Sequence, residues 1–401
     1  MSSPVASVVA SRLLNDLSLR RTEFGDDACD SLRAKLLHLG AVHPLLVRDP
    51  AATAASSIDE ELVDVLSNGT RCAVLDVTSP LSPADVDEYG RVCSEGDFDC
   101  VVAVGGGATL DAAKLIALRA SNDMPTLSLL DGSCDPNSIP IIAIPTTAGS
   151  GSEATHFAVL FVGEVKHSIS HPTLRPSVSI IDPSLIVSVP QRVAVAAGLD
   201  VLCQSIESLW SRRADRKSLT YASEALRLVV PNLRPAVMDA DSDAQAALCL
   251  ASHLAGQAIN RSFTTICHAL SYLITARYGV PHGLAAASTL PASLLFNCDR
   301  RLPANSPSTR AGDMDRCLQE LKSCFNRDSI EAITRDIVLL IRSIGGAASV
   351  FELGLPTDYQ PVEHAEKFNP ERLRNNPRRA TPDDIVGILR QTFDHDGCAK
   401  A

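Results

Sequence analysis

Over the first 190 or so residues, short apolar runs alternate with stretches of helical periodicity. The runs "HPLLVRD", "RCAVLDVT", "FDCVVAVGGG" and "SIPIIAIPTT" are continuous in their hydrophobicity and end in turn or polar residues. Helix-like segments such as 27–39 and 108–120 lie between them. A strand apolar on both sides must be covered on both faces, which a mostly parallel sheet flanked by helices achieves. "FAVLFVGEVKHSISHP" and "SVSIIDPSLI" read as further strands. From about Val189 apolar residues recur at helical spacing, over 192–210, 216–232, 243–259, 264–277, 283–296, 312–325 and 329–343. The expectation is an α/β nucleotide-binding domain over 1–188 and an all-helical domain over 189–401, with ligand bound in a cleft between them.

Charge and cysteine usage narrow the partners. The formal net charge of −11 comes from interspersed acids and bases, which argues against nucleic acid or an anionic membrane as partner. No apolar run reaches the roughly 18 residues that suggest a membrane span. The 12 cysteines are scattered, with no CxxC pair, so they read as reduced thiols of a cytoplasmic protein rather than a disulfide framework.

Two loops carry candidate ligand chemistry. "VVAVGGGATLDAAKLIAL" (101–118) sets three glycines where a strand ends and a helix begins. Such a turn lets backbone approach a phosphate at the positive end of a helix, and it also serves as a plain tight βα turn. "AIPTTAGSGSEAT" (143–155) follows another strand and offers hydroxyls and N–H groups suited to a dinucleotide. Asp49, at the end of "LLVRD", is placed either to accept from ribose hydroxyls, which excludes a 2′-phosphate, or to cap a turn.

In the helical half, Asp200 and Gln204 of "GLDVLCQSIESLWS" stand four residues apart, on one helical face. "TTICHALSYLITARYGVPHG" adds His268 and His282. A lone histidine on an apolar helix is usually a core residue. Aspartate and two histidines on three helices can instead form a metal site with room for a substrate oxygen.

The motifs "GGGATLDAAK", "IPTTAGSGSEAT", "IIDPSL", "AAGLDVLCQSIES", "CHALSY" and "GVPHG", in that order, resemble the iron-dependent (group III) alcohol dehydrogenases. Their fold is shared with dehydroquinate synthase and glycerol dehydrogenases. The resemblance runs from about Phe24 to "NNPRRATPDDIVGILRQTF". It implies metal ligands at Asp200, His268 and His282, with Gln204 where the family has a fourth ligand, a histidine. Gln204 weakens the site for Fe(II) or Zn(II), or empties it, because an amide oxygen is a poorer ligand than imidazole. Tyr272, where many members carry another histidine, becomes either a candidate proton relay or a packing residue. For the cofactor, the resemblance points to Gly106, Gly107, Asp111, Thr146, Thr147, Ser150, Ser152 and Lys166. Ala108 stands where serine is common, and "SPLSP" (79–83) replaces an Asn-Pro turn. Asp49 tilts the cofactor toward NADH over NADPH.

"ESLWS", "RSFTTICHALSYLITARYGVPHG" and "LRNNPRR" further resemble the branch that reduces phosphonoacetaldehyde to 2-hydroxyethylphosphonate. Residues 372–379 hold four arginines, which are either solvated surface or, since arginine matches phosphonate oxygens bidentately, substrate contacts; Arg374, Asn376, Arg378 and also Arg277 are the candidates. Phosphonopyruvate or an ordinary small aldehyde are alternatives on the same fold. So is a catalytically impaired relative that only binds nucleotide. The resemblance also implies a homodimer.

Overall fold

The computed structural model describes residues 4–56, 72–77, 81–122, 124–131, 138–163, 165–299, 311–367 and 373–400. They form two compact units, Met1–Pro190 with Ala240–Gly256, and Gln191–Asp239 with Gln257–Ala401. The segment 240–256 therefore packs with the α/β half, although its periodicity is helical.

The first unit runs α1 (Pro4–Asp16), β1 (Thr22–Phe24), α2 (Leu32–Leu39), β2 (Pro44–Arg48), α3 (Pro50–Ser56), β3 (Ala73–Asp76), α4 (Pro83–Glu95), β4 (Cys100–Gly105), α5 (Gly107–Ala120), β5 (Ile141–Pro145), β6 (Phe157–Val162), β7 (Val165–Ser170) and β8 (Val178–Ile181). Six strands form a parallel sheet in the order β1-β8-β5-β4-β2-β3. The segment "FAVLFVGEVKHSISHP" forms a separate antiparallel hairpin, β6 with β7.

Strand β4 shows why the continuous apolar runs are needed. Its side chains alternate between faces. Val101 and Ala103 enter one core with Leu110, Ala113 and Ile116 of α5, while Val102 and Val104 enter the other with Leu32 and Leu36 of α2. Going from β2 the chain moves to one side, to β3, and from β4 to the other, to β5. The sheet's switch point is thus between β2 and β4, where open α/β sheets bind ligands at the strands' carboxyl ends. Asp49 and Gly105–Gly107 occupy those ends.

The helices that follow are α6 (Gln191–Trp210), α7 (Arg216–Met238), α8 (Ser242–Ser262), α9 (Ile266–Tyr278), α10 (His282–Ala287), α11 (Leu290–Cys298), α12 (Ala311–Phe325), α13 (Ile330–Ser343), α14 (Pro361–Lys367) and α15 (Pro382–Arg390). The helix expected over 283–296 is two, because the chain breaks at Ser288–Thr289 and Pro291, which lacks an N–H, sits in the first turn of α11. Helix α6 is long and apolar enough to cross a membrane by composition, but 83% of its apolar window is buried inside the protein. It is a core helix, fixed against α7 and α10.

Candidate functional site

The cofactor-type loops are built by close backbone approach. A Cβ on Gly107 would lie 2.4 Å from Ser150 Oγ, and one on Gly151, at φ +62°, would lie 2.5 Å from the Gly256 Cα. Only glycine permits these two packings. Thr146 N donates to Gly105 O at 2.9 Å, joining the two loops, and Thr147 lies against Gly106. Gly106 is the N-cap of α5 and supplies no side-chain cap, so the first N–H groups of α5 keep their capacity to bind an anion. The Thr146 hydroxyl is buried with no hydrogen-bond partner among the described residues. An unmet buried hydroxyl costs about 1–3 kcal/mol, so a ligand that pairs with it is favoured. These features fit a dinucleotide.

The loop rests on a buried network. Lys114, wholly buried, donates to Ser152 Oγ at 2.7 Å, Thr155 Oγ1 at 3.1 Å and Phe157 O at 2.9 Å, and lies 3.5 Å from Asp111 Oδ1. Asp111 in turn accepts from Ser152 Oγ at 2.6 Å and Val159 N at 3.0 Å. Burial lowers the Lys114 pKa, against the pull of Asp111 and Glu153. Asp111 and Ser152, expected at the cofactor, are thus engaged with each other and with Lys114 beneath it. Ser150 Oγ accepts from Ser152 N at 3.2 Å. Asp49 Oδ1 accepts from Ala51 N at 2.9 Å and Ala52 N at 3.3 Å, so the residue does cap α3. Lys166 lies on β7, its side chain outside the described residues. Of the 79–83 segment, residues 79 and 80 lie outside them too.

In the second unit, Asp200 on α6, His268 on α9 and His282 at the start of α10 each offer a ligand atom within 4.8 Å of the others. Gly283 makes this possible, because a Cβ there would sit 1.9 Å from Ala196 O and 3.0 Å from the Asp200 Cβ. The first turn of α10 therefore reaches α6 directly. Gln204 is buried one turn beyond Asp200 on the same face. Tyr272 is half-buried and stacks on His282, centroids 5.6 Å apart and 13° between planes.

Glu207, to which the sequence reading gave no role, completes the arrangement. It is fully buried on α6. Its Oε1 accepts from Thr265 N, Thr265 Oγ1 and Cys267 N at 3.1, 2.7 and 2.8 Å, and its Oε2 meets His268 Nδ1. His268 Nε2 lies 3.1 Å from Asp200 Oδ1. This is the carboxylate–histidine support that orients metal-ligating imidazoles. Burial disfavours a charge on His268, yet Glu207 and Asp200 outweigh it and hold its pKa up at about 10. Burial likewise opposes the Glu207 charge, and His268 with the hydrogen bonds from the Thr265 hydroxyl and Cys267 N–H prevails to lower its pKa. The pocket favours positive charge, and one carboxylate with two imidazoles is a donor set that suits Fe(II) or Zn(II).

Of the residues expected at substrate, Arg277, Asn376 and Arg378 have side-chain partners of their own. Arg378 donates to Phe296 O at 3.0 Å and Asp299 O at 3.1 Å and covers the Phe296 ring, so it closes the C-terminus of α11. Asn376 is buried and exchanges hydrogen bonds with Asn297. Arg277 pairs with Glu363 at 3.0 Å. Arg374 is exposed, and its carbonyl lies 3.4 Å from Arg212 Nη1.

Comparisons with known proteins agree with this chemistry. Residues 20–183 match the family described as iron-containing alcohol dehydrogenase, and 194–393 match the C-terminal domain of the Fe-containing alcohol dehydrogenase family. Long-chain-alcohol dehydrogenase 1 of Geobacillus thermodenitrificans is 34% identical over 69% of this chain and 73% of its own. Phosphonoacetaldehyde reductase of Streptomyces viridochromogenes is 32% identical over 77% of this chain and 80% of its own. Among solved structures, sulfoacetaldehyde reductase from Bifidobacterium kashiwanohense, in complex with NAD+, superposes with a TM-score of 0.81 at 28% identity, covering 92% of this chain and 95% of that one. Together with the α/β and helical halves and the Asp-His-His cluster, these matches make the chain a member of the iron-containing alcohol dehydrogenase family, an oxidoreductase of alcohols and aldehydes.

Proposed function

We propose that this enzyme uses NADH to reduce a two-carbon aldehyde bearing an anionic group, phosphonoacetaldehyde first, giving 2-hydroxyethylphosphonate. The observation that carries the reductase reading is the convergence of Asp200, His268 and His282, backed by Glu207. Asp200, His268 and His282 would hold a divalent cation, which would supply Lewis-acid polarisation of a carbonyl oxygen worth several kcal/mol to a developing alkoxide. Glu207 holds the His268 ring in place, and burial of Asp200 and His268 excludes water. Tyr272, stacked on His282, brings a phenol beside the ligands as candidate proton donor. Gly106, Gly107, Thr146 and the start of α5 receive the pyrophosphate, and the Asp49 carboxylate disfavours a 2′-phosphate.

The anionic substrate is supported by two relatives whose names, phosphonoacetaldehyde and sulfoacetaldehyde reductase, both describe acetaldehydes with an acidic substituent. A second reading, an uncharged small aldehyde, is favoured by the engagement of Arg277 and Arg378 elsewhere. NADH oxidation decides between them. If a charge-assisted contact of about 1.5–3 kcal/mol serves the substrate, kcat/KM for phosphonoacetaldehyde exceeds that for acetaldehyde by about 10- to 100-fold. Equal values support the uncharged reading. Chelator-stripped protein should lose turnover and regain it with Fe(II) or Zn(II). Failure to turn over any aldehyde in the metal-loaded state, with NADH still bound, would make the chain an impaired relative.

A further inference from the structure

We infer that Ser271 fixes the tautomer of His282, so that this ring presents Nε2 as its metal-binding lone pair. The inference rests on the reading of Asp200, His268 and His282 as metal ligands, and assigns a positioning role to a residue outside that set.

Ser271 lies on α9 one turn after His268, with no exposed surface. Its Oγ is 2.8 Å from His268 O and 3.1 Å from His282 Nδ1. A hydroxyl has one proton, and a backbone carbonyl can only accept. The Ser271 proton therefore belongs to the bond with His268 O. The contact with His282 can then be a hydrogen bond only if Nδ1 carries the hydrogen and donates to a Ser271 lone pair. In a neutral imidazole this leaves Nε2 without hydrogen.

His268 is held from behind by another route. Glu207 is an acceptor on both oxygens, with Oε1 taken by three donors, so Oε2 receives the Nδ1 hydrogen of His268. Its Nε2 turns toward Asp200. Both rings are thus held at Nδ1, one by a carboxylate and the other by a neutral hydroxyl, and in His268 a metal would take the place of the Nε2 proton. A serine inside a helix often back-bonds to a carbonyl three or four residues earlier with no further role. That habit accounts for the bond to His268 O. It does not account for His282, on another helix, closing on the remaining lone pair.

The test uses the full-length protein labelled with 15N-histidine, in which long-range 1H–15N NMR reports which ring nitrogen carries hydrogen. It is run metal-free at a pH where the ring is neutral, and His282 is assigned by its loss in H282Q. Zn(II) affinity is measured alongside, by competition with a chelating indicator. The wild type is expected to show Nδ1–H at His282. In Ser271→Ala the ring should populate the Nε2–H form, and Zn(II) affinity should fall about 10- to 100-fold, the usual cost of removing such a partner. Ser271→Thr, which keeps the hydroxyl, should restore the Nδ1–H form.

A wild-type His282 bearing hydrogen on Nε2 overturns the inference. So does Ser271→Ala with an unchanged tautomer, or with wild-type Zn(II) affinity. If the tautomers behave as expected but even the wild type binds no metal, the role of Ser271 in setting the ring stands and the metal reading falls.

Discussion

At the carboxyl ends of β2, β4 and β5, what the protein offers a ligand is mostly backbone. Gly106 and Gly107 expose N–H groups, and the side chains that shape the loop, Asp111, Lys114 and Ser152, are engaged beneath it. On α6, α9 and α10 the offer is made by side chains. Asp200, His268 and His282 converge, and the residues behind them, Glu207 and Ser271, orient their rings. The two regions solve different problems. A pyrophosphate is long and evenly charged, so a helix terminus and a close backbone suffice. A metal ion needs few donors at short, directed distances, so each ring must be held from behind. The first region should therefore depend on its supports mainly for stability, and the second mainly for function.

The largest effect should come from the second region. His282→Ala removes one of three ligands and should lower kcat/KM of the metal-loaded enzyme by about 10³-fold, or about 4 kcal/mol of transition-state stabilisation. Unfolding should barely change, because the ring is not part of the apolar core. A loss below about tenfold would mean that the cluster is incidental to turnover.

Lys114→Met tests the first region in the opposite sense. It leaves the Asp111 carboxylate without its ammonium partner next to a hydrophobic core, and breaking a buried pair typically costs about 3–5 kcal/mol. Chemical denaturation should show that cost. Weakened NADH binding with unchanged stability would reverse the comparison and make Lys114 a ligand contact.

A third expectation concerns acid. His364 on α14 lies against Leu270 O at 2.9 Å through Nε2 and against the Tyr359 hydroxyl at 3.0 Å through Nδ1. The first contact needs a hydrogen on Nε2, and the second lets the phenol donate to Nδ1, which describes a neutral ring. Burial pushes its pKa down to about 4, against the weaker opposing pull of the Leu270 carbonyl. Since an unfolded histidine titrates near 6.5, the folded state is favoured above that pH and loses the advantage as pH falls toward 4. Over that window the loss amounts to about 3 kcal/mol at most. His364→Gln should flatten the slope of stability between those pH values, and an unchanged slope would acquit this histidine.

The same contrast explains what could be read from the sequence. Strand β4 was legible because six consecutive buried residues leave no other arrangement than a covered parallel sheet. The Asp200, His268 and His282 cluster was legible as residue types at helical spacings within a resembling order of motifs. Glu207 was not, because a carboxylate on an amphipathic helix usually meets water, and only its packing against Thr265, Cys267 and His268 reveals its use. The engagement of Arg378 was hidden for a related reason. Arg378 is bound to two carbonyl oxygens, and backbone acceptors leave no trace in sequence. Nor does periodicity say which unit a helix joins. The signal for 240–256 was Gly256, whose Cα would lie 2.5 Å from a Cβ on Gly151.

Asp49 is where the two uses of a side chain meet, and it carries the smallest expected effect. Its Oδ1 caps α3, while Oδ2 has no hydrogen-bond partner among the described residues. A cap needs only a short polar oxygen, whereas exclusion of a 2′-phosphate needs the negative charge. Asp49→Asn separates them, since asparagine caps as well as aspartate. The melting temperature should stay near that of the wild type. The ratio of kcat/KM for NADPH over NADH should rise about fivefold, the worth of removing about 1 kcal/mol of like-charge repulsion at about 4 Å under full water screening. Asp49→Ala should raise the same ratio and, by losing the cap, cost a further 1 kcal/mol or so of stability. If Asp49→Asn leaves the ratio unchanged, the carboxylate serves α3 alone, and the first region selects its cofactor by some other group.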